Sequence, residues 1–347
     1  MWIQQEKRGR LSGAAVSGAA VALILGLAFG LGGTVLGEEH EVYTSAGQAD
    51  ADFAYQGEYA GELTTPGGEA LKVGLQVIAL GKGAFRAVAY HGGLPGGGWN
   101  RERDPNPSPV EGTLKDGEVK FVGERGTGIL TKEGVEISTP DGTKLGKLVK
   151  TERKSPTLGA EAPAGAIVLF DGMNSSAFEN GRTTEDKLLM QGVTSKQRFG
   201  DCTLHLEFLL PYKPTARGQE RGNSGCYLQG RYEVQILDSF GLTGEDNECG
   251  AIYGVHKPRV NMCLPPLIWQ TYDIDFTAAR YGSDGKKRSA AKMTVKQNGV
   301  LIHENVEIPD STRASPVKEA NEPGPLYLQD HGNPVRFRNI WLVETKS

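Results

Sequence analysis

Residues 232–237, Tyr-Glu-Val-Gln-Ile-Leu, alternate apolar and polar side chains with the two-residue period of a strand. Tyr232, Val234 and Ile236 therefore share one face, and Glu233 and Gln235 point from the other. Asp238 follows at the strand end. Residues 202–208 divide in the same way, with Leu204, Leu206 and Phe208 opposing His205 and Glu207. So do residues 271–277, with Asp273 and Asp275 opposing Tyr272, Ile274 and Phe276. Set side by side, such faces would make a carboxylate-lined concave surface, where planar acceptors and aromatic rings meet hydroxyl groups, as in sugar-binding sheets. An ordinary solvated sheet face carries the same pattern.

Three loops hold further polar candidates. Arg221, Asn223 and Ser224 stand just before one strand, and Arg231 just before Glu233. His256, Lys257 and Asn261 lie between Cys249 and Pro266, and Gln329, Asp330, His331 and Arg336 fall between residues 328 and 339. An Asp-His pair before glycine is a placed polar group or simple turn chemistry. The chain has no H-E-x-x-H, zinc spacing, P-loop, dinucleotide fingerprint, calcium-loop consensus or G-x-S-x-G elbow. Net charge is only −4 and Lys and Arg are dispersed, which excludes a nucleic-acid partner. The cysteines, Cys202, Cys226, Cys249 and Cys263, allow three pairings. The short Gly-, Pro- and Asn-rich loop between Cys249 and Cys263 favours that bridge, worth ~3 kcal/mol through the unfolded state.

The elements that must position these residues are short strands. No segment sustains a 3.6-residue apolar stripe, and glycine, 48 of 347 residues, marks many tight turns. Strands are expected at 167–170, 203–209, 225–228, 232–237, 271–277, 290–296, 299–305, 326–329 and 335–343. Gln297-Asn298-Gly299 closes a type I′ hairpin. Residues 166–347 thus form an all-β sandwich or jelly-roll domain. Residues 55–150 make a small all-β domain with strands at 71–80, 85–90, 118–122, 128–132, 135–138 and 145–149. Its HGGLPGGGWN segment, residues 91–100, must be a loop that Trp99 anchors. Residues 38–54 read as a spacer and 151–165 as a linker. Ahead of all this, Lys7, Arg8 and Arg10 precede an uncharged run over residues 11–37. That is a signal peptide or membrane anchor helix, since roughly 20 helical residues cross ~30 Å of hydrocarbon. The remainder is expected outside the cytoplasm, in the periplasm or cell envelope, tethered to the membrane if the segment is uncleaved.

Several ordered blocks carry a resemblance: GNSGCYLQGRYEVQILDS, CGAIYG, WQTYDIDFTAARY, NGVLIHENVEI and GPLYLQDHGNPVRFRNIWLVE, opened by LFDGMNSSAF at residues 169–178. Together they resemble the 3-keto-disaccharide hydrolase family, here in a planctomycete-type exported protein. The resemblance spans about residues 167–344 and implies a concanavalin A-like jelly-roll sandwich. It also implies cleavage of 3-keto glycosides, because a C3 ketone acidifies the C2 proton and the bond at C1 then breaks by elimination, with water adding afterwards. On that reading Glu233 and Asp238 supply the base or a metal side, and His331 transfers a proton. Arg231 or Arg336 clamps the sugar or oxyanion, while Asn223, Gln235 and Gln329 bind hydroxyls. The chemistry also needs a cationic or metal electrophile; no cofactor is fixed by the resemblance, and a divalent ion is admissible, with Glu233, His256 and His331 as its candidate ligands. The rival reading is a non-catalytic carbohydrate-binding module of the cell envelope.

Overall fold

Alternating strands and tight turns in the first half of the chain close a barrel. The computed structural model describes residues 40–104 and 107–345. The barrel strands are β1 (Gly57–Thr64), β2 (Ala70–Gly81), β3 (Ala84–His91), β4 (Pro109–Lys115), β5 (Glu118–Gly123), β6 (Gly126–Thr131), β7 (Gly134–Ser138) and β8 (Lys144–Thr151). Each pairs antiparallel with the next, and β1 meets β8 through Glu58↔Thr151 and Ala60↔Val149. Closure leaves no free edge. Inward positions of successive strands, such as Tyr59, Val77, Phe85, Val119, Leu130 and Leu148, form its core, joined by Tyr212 from outside the barrel. β1 and β4 escape the sequence pattern: β1 is interrupted by Gly61, and β4 begins at a proline and buries no residue fully. The expected spacer is packed down. Tyr43 and Tyr212 exchange backbone hydrogen bonds (2.9 Å each), and the Tyr212 hydroxyl donates to Asp50 Oδ1 (3.0 Å).

The rest of the chain supplies β9 (Ile167–Phe170), β10 (Phe178–Glu179), β11 (Leu189–Met190), β12 (Val193–Phe199), β13 (Cys202–Leu209), β14 (Asn223–Leu228), β15 (Tyr232–Leu237) and β16 (Trp269–Thr277). It continues with β17 (Arg280–Tyr281), β18 (Lys287–Ser289), β19 (Ala291–Gln297), β20 (Val300–Ile308), β21 (Gly324–Leu328) and β22 (Arg336–Glu344). A five-stranded sheet runs β10-β12-β21-β14-β15. A seven-stranded sheet runs β11-β22-β13-β16-β19-β20, with β9 on β22. β17 and β18 form a separate ribbon. The apolar faces of both large sheets contribute to one core, Val234, Ile236 and Leu328 from the first and Leu206, Ile274 and Phe337 from the second. The β19–β20 hairpin turns through Asn298 (φ 51°) and Gly299 (φ 78°), the two positive-φ positions expected of it.

The polar face of the seven-stranded sheet is covered at His205, Glu207 and Thr271, while Asp275 stays exposed. Residues 155–160, expected as linker, lie on it. Ser155 Oγ meets Thr271 Oγ1 (2.6 Å), Thr157 Oγ1 donates to Asp273 Oδ2 (2.7 Å), and Gly159 N–H donates to Glu207 Oε1 (2.5 Å). Among the described residues no helix is long and apolar enough to cross a membrane. The apolar run of residues 11–37, expected to be a signal or anchor, lies outside them.

All four cysteines are buried free thiols. The expected Cys249–Cys263 bridge is not formed here, although the two thiols are neighbours within hydrogen-bonding reach. Each thiol has partners of its own: Cys249 Sγ lies 3.3 Å from the Tyr272 hydroxyl and 3.2 Å from Gln297 Nε2, and Cys263 Sγ donates to the Leu237 carbonyl (3.4 Å).

Candidate active site

The outward face of the five-stranded sheet is built by register. β14 pairs with β15 so that Tyr227 opposes Glu233 and Gly225 opposes Gln235. β14 also pairs with β21, setting Tyr227 against Tyr327. One cross-strand row is therefore Tyr327, Tyr227 and Glu233. In the next row the Gln329 N–H donates to the Gly225 carbonyl, with Gln235 beyond. Asn223 ends the face. The free edge of β15 is covered by the segment after Cys249, where Gly250 N–H donates to the Gln235 carbonyl (2.9 Å) and Tyr253 N–H to the Glu233 carbonyl (3.2 Å).

Glu233 is only 3% exposed. A side chain at Gly225 would collide with Glu233 Oε1, so the missing Cβ is what lets the carboxyl lie over the sheet. Burial pushes its pKa up to about 7, and a hydrogen bond from the Tyr227 hydroxyl only partly offsets this. Gln329 Nε2 donates to that same hydroxyl (3.3 Å), so Gln329, Tyr227 and Glu233 form a relay. The Tyr227 and Tyr327 rings lie 5.4 Å apart. Beside them Gln235 Nε2 and Asn223 Nδ2 both donate to Gln219 Oε1 (3.2 Å each). Asn223 Oδ1 is buried without a protein partner. A carboxyl that titrates near neutrality, phenols and a set of amides are the elements of acid–base chemistry on a polyhydroxyl substrate.

The structure thus brings together Glu233, Gln235, Asn223 and Gln329, and gives Asp238, Arg231, Arg336 and His256 other partners. Asp238 is fully buried in an ion pair with Arg221 (3.1 Å), so it holds the fold rather than serving as a base; burial raises its pKa, and Arg221 opposes the rise. Arg231 is 1% exposed, and its guanidinium donates to the carbonyls of Lys318 (2.9 Å), Ala320 (3.3 Å) and Glu322 (2.7 Å). It secures the loop before β21 and is no sugar clamp. Arg336 belongs to the seven-stranded sheet and donates to Gln191 Oε1 (2.8 Å). His256 Nε2 bonds the Glu307 carbonyl (2.7 Å).

His331 is exposed, two residues past Gln329. Its loop is held by Lys213, whose Nζ donates to Asn333 Oδ1 (2.8 Å), while Asn333 Nδ2 donates to the His331 carbonyl (2.9 Å). Glu233, His256 and His331 do not converge as ligands. Among the described residues no group of three His, Cys, Asp or Glu side chains has metal-binding geometry. Tyr227, Tyr327 and Gln219 escaped sequence reasoning. Tyr227 shares the parity of Glu233 relative to its own apolar neighbours Cys226 and Leu228, which was the available signal; Gln219 and Lys213 offered none.

The sheet face thus sets a desolvated carboxyl, bonded by a tyrosine, among a group of amides. The chain belongs to the family described as the 3-keto-alpha-glucoside-1,2-lyase-like domain, whose profile matches residues 165–343. That membership supports glycoside-cleaving hydrolase or lyase activity on 3-keto sugars. A comparison with curated proteins gives no significant match. Among solved structures, the chain is similar to three proteins of Parabacteroides distasonis ATCC 8503 that bear provisional glycosyl hydrolase descriptions. The first is 37% identical over 53% of this chain and 85% of that one, with a TM-score of 0.49. The second is 17% identical, covering 52% of this chain and 94% of that one, at a TM-score of 0.37. The third is 18% identical, covering 52% and 99%, at a TM-score of 0.36.

Proposed function

We propose that this chain cleaves 3-keto glycosides with Glu233 as the base that removes the C2 proton. The observation that carries this role is the buried Glu233 carboxyl, bonded by Tyr227 and raised to about 7, where a base both accepts and returns a proton at neutral pH. The C2–H electrons move into a C2–C3 enolate, whose oxygen is met by phenol and amide donors of the same face. As the C3 carbonyl re-forms, a C1–C2 double bond forms and the C1–O bond breaks. The leaving oxygen takes a proton, for which His331 is the exposed donor candidate. Water then adds to C1 and C2 regains a proton, so hydrolysis and elimination share one intermediate. Asn223, Gln235 and Gln329 hold the hydroxyls. The two large sheets are read as a concanavalin A-like jelly roll from residue 166, following a barrel domain over 55–150. Residues 1–37 are read as the export signal or anchor of a periplasmic or envelope protein; the basic flank and uncharged run support this.

The test is turnover of 3-keto-trehalose or a 3-keto aryl glucoside by the full chain. Glu233→Gln is expected to lose about 10²–10⁴-fold in kcat with substrate affinity largely kept. Unaltered kcat in that variant would overturn the role of Glu233. Binding without product in the wild type, whatever metal is supplied, would instead make the domain a carbohydrate-binding module.

A further inference from the structure

The glycine-rich loop at residues 91–100 plays no part in the Glu233 face, yet it builds something. It packs against the sheets, with Gly96 beside Met262 and Val300. Where it meets the loop at 239–248, a cavity of about 390 Å³ opens. That volume is at the lower end of small-molecule sites, ~300–1,000 Å³. Its aromatic wall is Tyr90 and Trp99, edge-on at 5.3 Å and 75°. This wall is held from behind. The Tyr90 hydroxyl donates to Gln76 Oε1 (2.8 Å), Gln76 Nε2 to Glu58 Oε1 (3.0 Å), and Glu58 takes two bonds from Arg153 (2.6 and 2.5 Å). Trp99 Nε1 donates to the Asp104 carbonyl (3.2 Å). Rigid aromatic walls on a satisfied polar support are how binding sites are preorganised.

Polar groups complete the lining. Arg101 lies 5.9 Å from the Trp99 ring and donates to the Pro258 carbonyl (3.1 Å) and to that of Thr243, tying the barrel loop to the sheet loops. Arg86 donates to Glu111 through Nη2 (2.7 Å), but its buried Nε has no partner. Glu245 and Lys257 bring opposite charges to the same lining. Mixed signs disfavour a strongly charged ligand, whereas an apolar ring face and planar donors suit a sugar, whose C–H face stacks while its hydroxyls bond outward.

We infer that this cavity is a second saccharide-binding site, taking a neutral hexose unit against Trp99 and Tyr90 with hydroxyls to Arg86 and Glu245. It goes beyond the Glu233 reading and does not depend on it, since neither Glu233 nor Gln235 lines the cavity. The sites are joined through one loop: Gln219, which accepts from Gln235, also donates to the Asn247 carbonyl (2.9 Å). Holding a substrate by its unreacting sugar would raise the local concentration at the Glu233 face.

The experiment is saturation-transfer NMR on the full chain with trehalose, maltose and cellobiose at millimolar concentration, none of which carries the ketone needed for turnover. At least one should bind. Trp99→Ala should weaken it tenfold or more. Leu242→Trp, which fills the cavity and leaves its aromatic wall in place, should do the same. Absence of binding by all three sugars overturns the inference. So does wild-type binding by either Trp99→Ala or Leu242→Trp.

Discussion

Two polar sheet faces in this chain carry a buried glutamate, and the two carboxyls titrate at opposite ends of the range. On the seven-stranded sheet, burial alone would raise Glu207. Hydrogen bonds from His205, Asn339, the Gly159 N–H and Arg338 nonetheless hold it at about 2. His205 sits between Glu207 and Asp273 and stacks on Trp341 at 5.0 Å, with 1% of its side chain exposed. On the five-stranded sheet Glu233 has one hydroxyl partner and is raised to about 7. Glu233 is the more deeply enclosed and also has fewer donors, and the two effects together set the carboxyls apart. A carboxylate bonded on all sides is part of the framework, and one left short of donors is free to take a proton from a substrate.

The largest effect should come from breaking the satisfied face. Glu207→Ala leaves Arg338, Asn339 and His205 without their acceptor, and urea unfolding should show a loss of about 3–5 kcal/mol. Turnover per folded molecule should stay near wild type. If stability is kept but kcat falls by orders of magnitude, the roles of the two faces are reversed.

Next is stability against pH at Glu233. Its folded value near 7 lies above the ordinary 4.5. As pH rises between the two, the unfolded chain releases this proton first, so stability falls across that window and levels off above it. Glu233→Gln should remove the penalty and be more stable than wild type by about 2–3 kcal/mol at pH 8, with the gain vanishing near pH 4.5. Glu207 acts with the opposite sign, its stabilisation being lost as pH falls from 4.5 towards 2. Difference curves for Glu233→Gln and Glu207→Gln should therefore occupy separate windows; a shared window would abolish the distinction.

The smallest effect tests the relay. The Tyr227 hydrogen bond lowers the Glu233 pKa, so Tyr227→Phe should move the acid limb of the kcat/KM profile to higher pH. Activity at pH 6 should drop about 3–10-fold, with recovery at pH 8. A uniform loss at every pH would mean that the phenol acts on the substrate and not through the carboxyl.

The two-residue period made both faces legible before any coordinates, because side-chain parity along a strand is set by backbone geometry. It could not separate them. His205, Glu207, Glu233 and Gln235 obey the same parity, and what distinguishes them is a covering segment more than 40 residues from His205 in sequence. Asp238 and Arg231 looked as available as Glu233, since an ion pair to Arg221 and a set of backbone carbonyls leave no local mark. Tyr327 reached the site only because β21 inserts between β12 and β14, a long-range pairing that no run of residues announces. Strands of two residues, such as β10 and β11, are too short for any period to register.

The segment at 152–160 has a practical corollary. Arg153 grips Glu58 of the barrel, while Ser155, Thr157 and Gly159 seal the opposite sheet. A protein trimmed at residue 166 to isolate the family-matching half would strip the seal from Glu207 and His205 and remove the barrel core against which Tyr212 packs. Such a fragment should be short-lived and prone to aggregation, and inactivity in it would say nothing about Glu233. Proteases should likewise find no ready cut at 155–160 despite its lack of regular structure, and should cut first at the exposed residues 163–165.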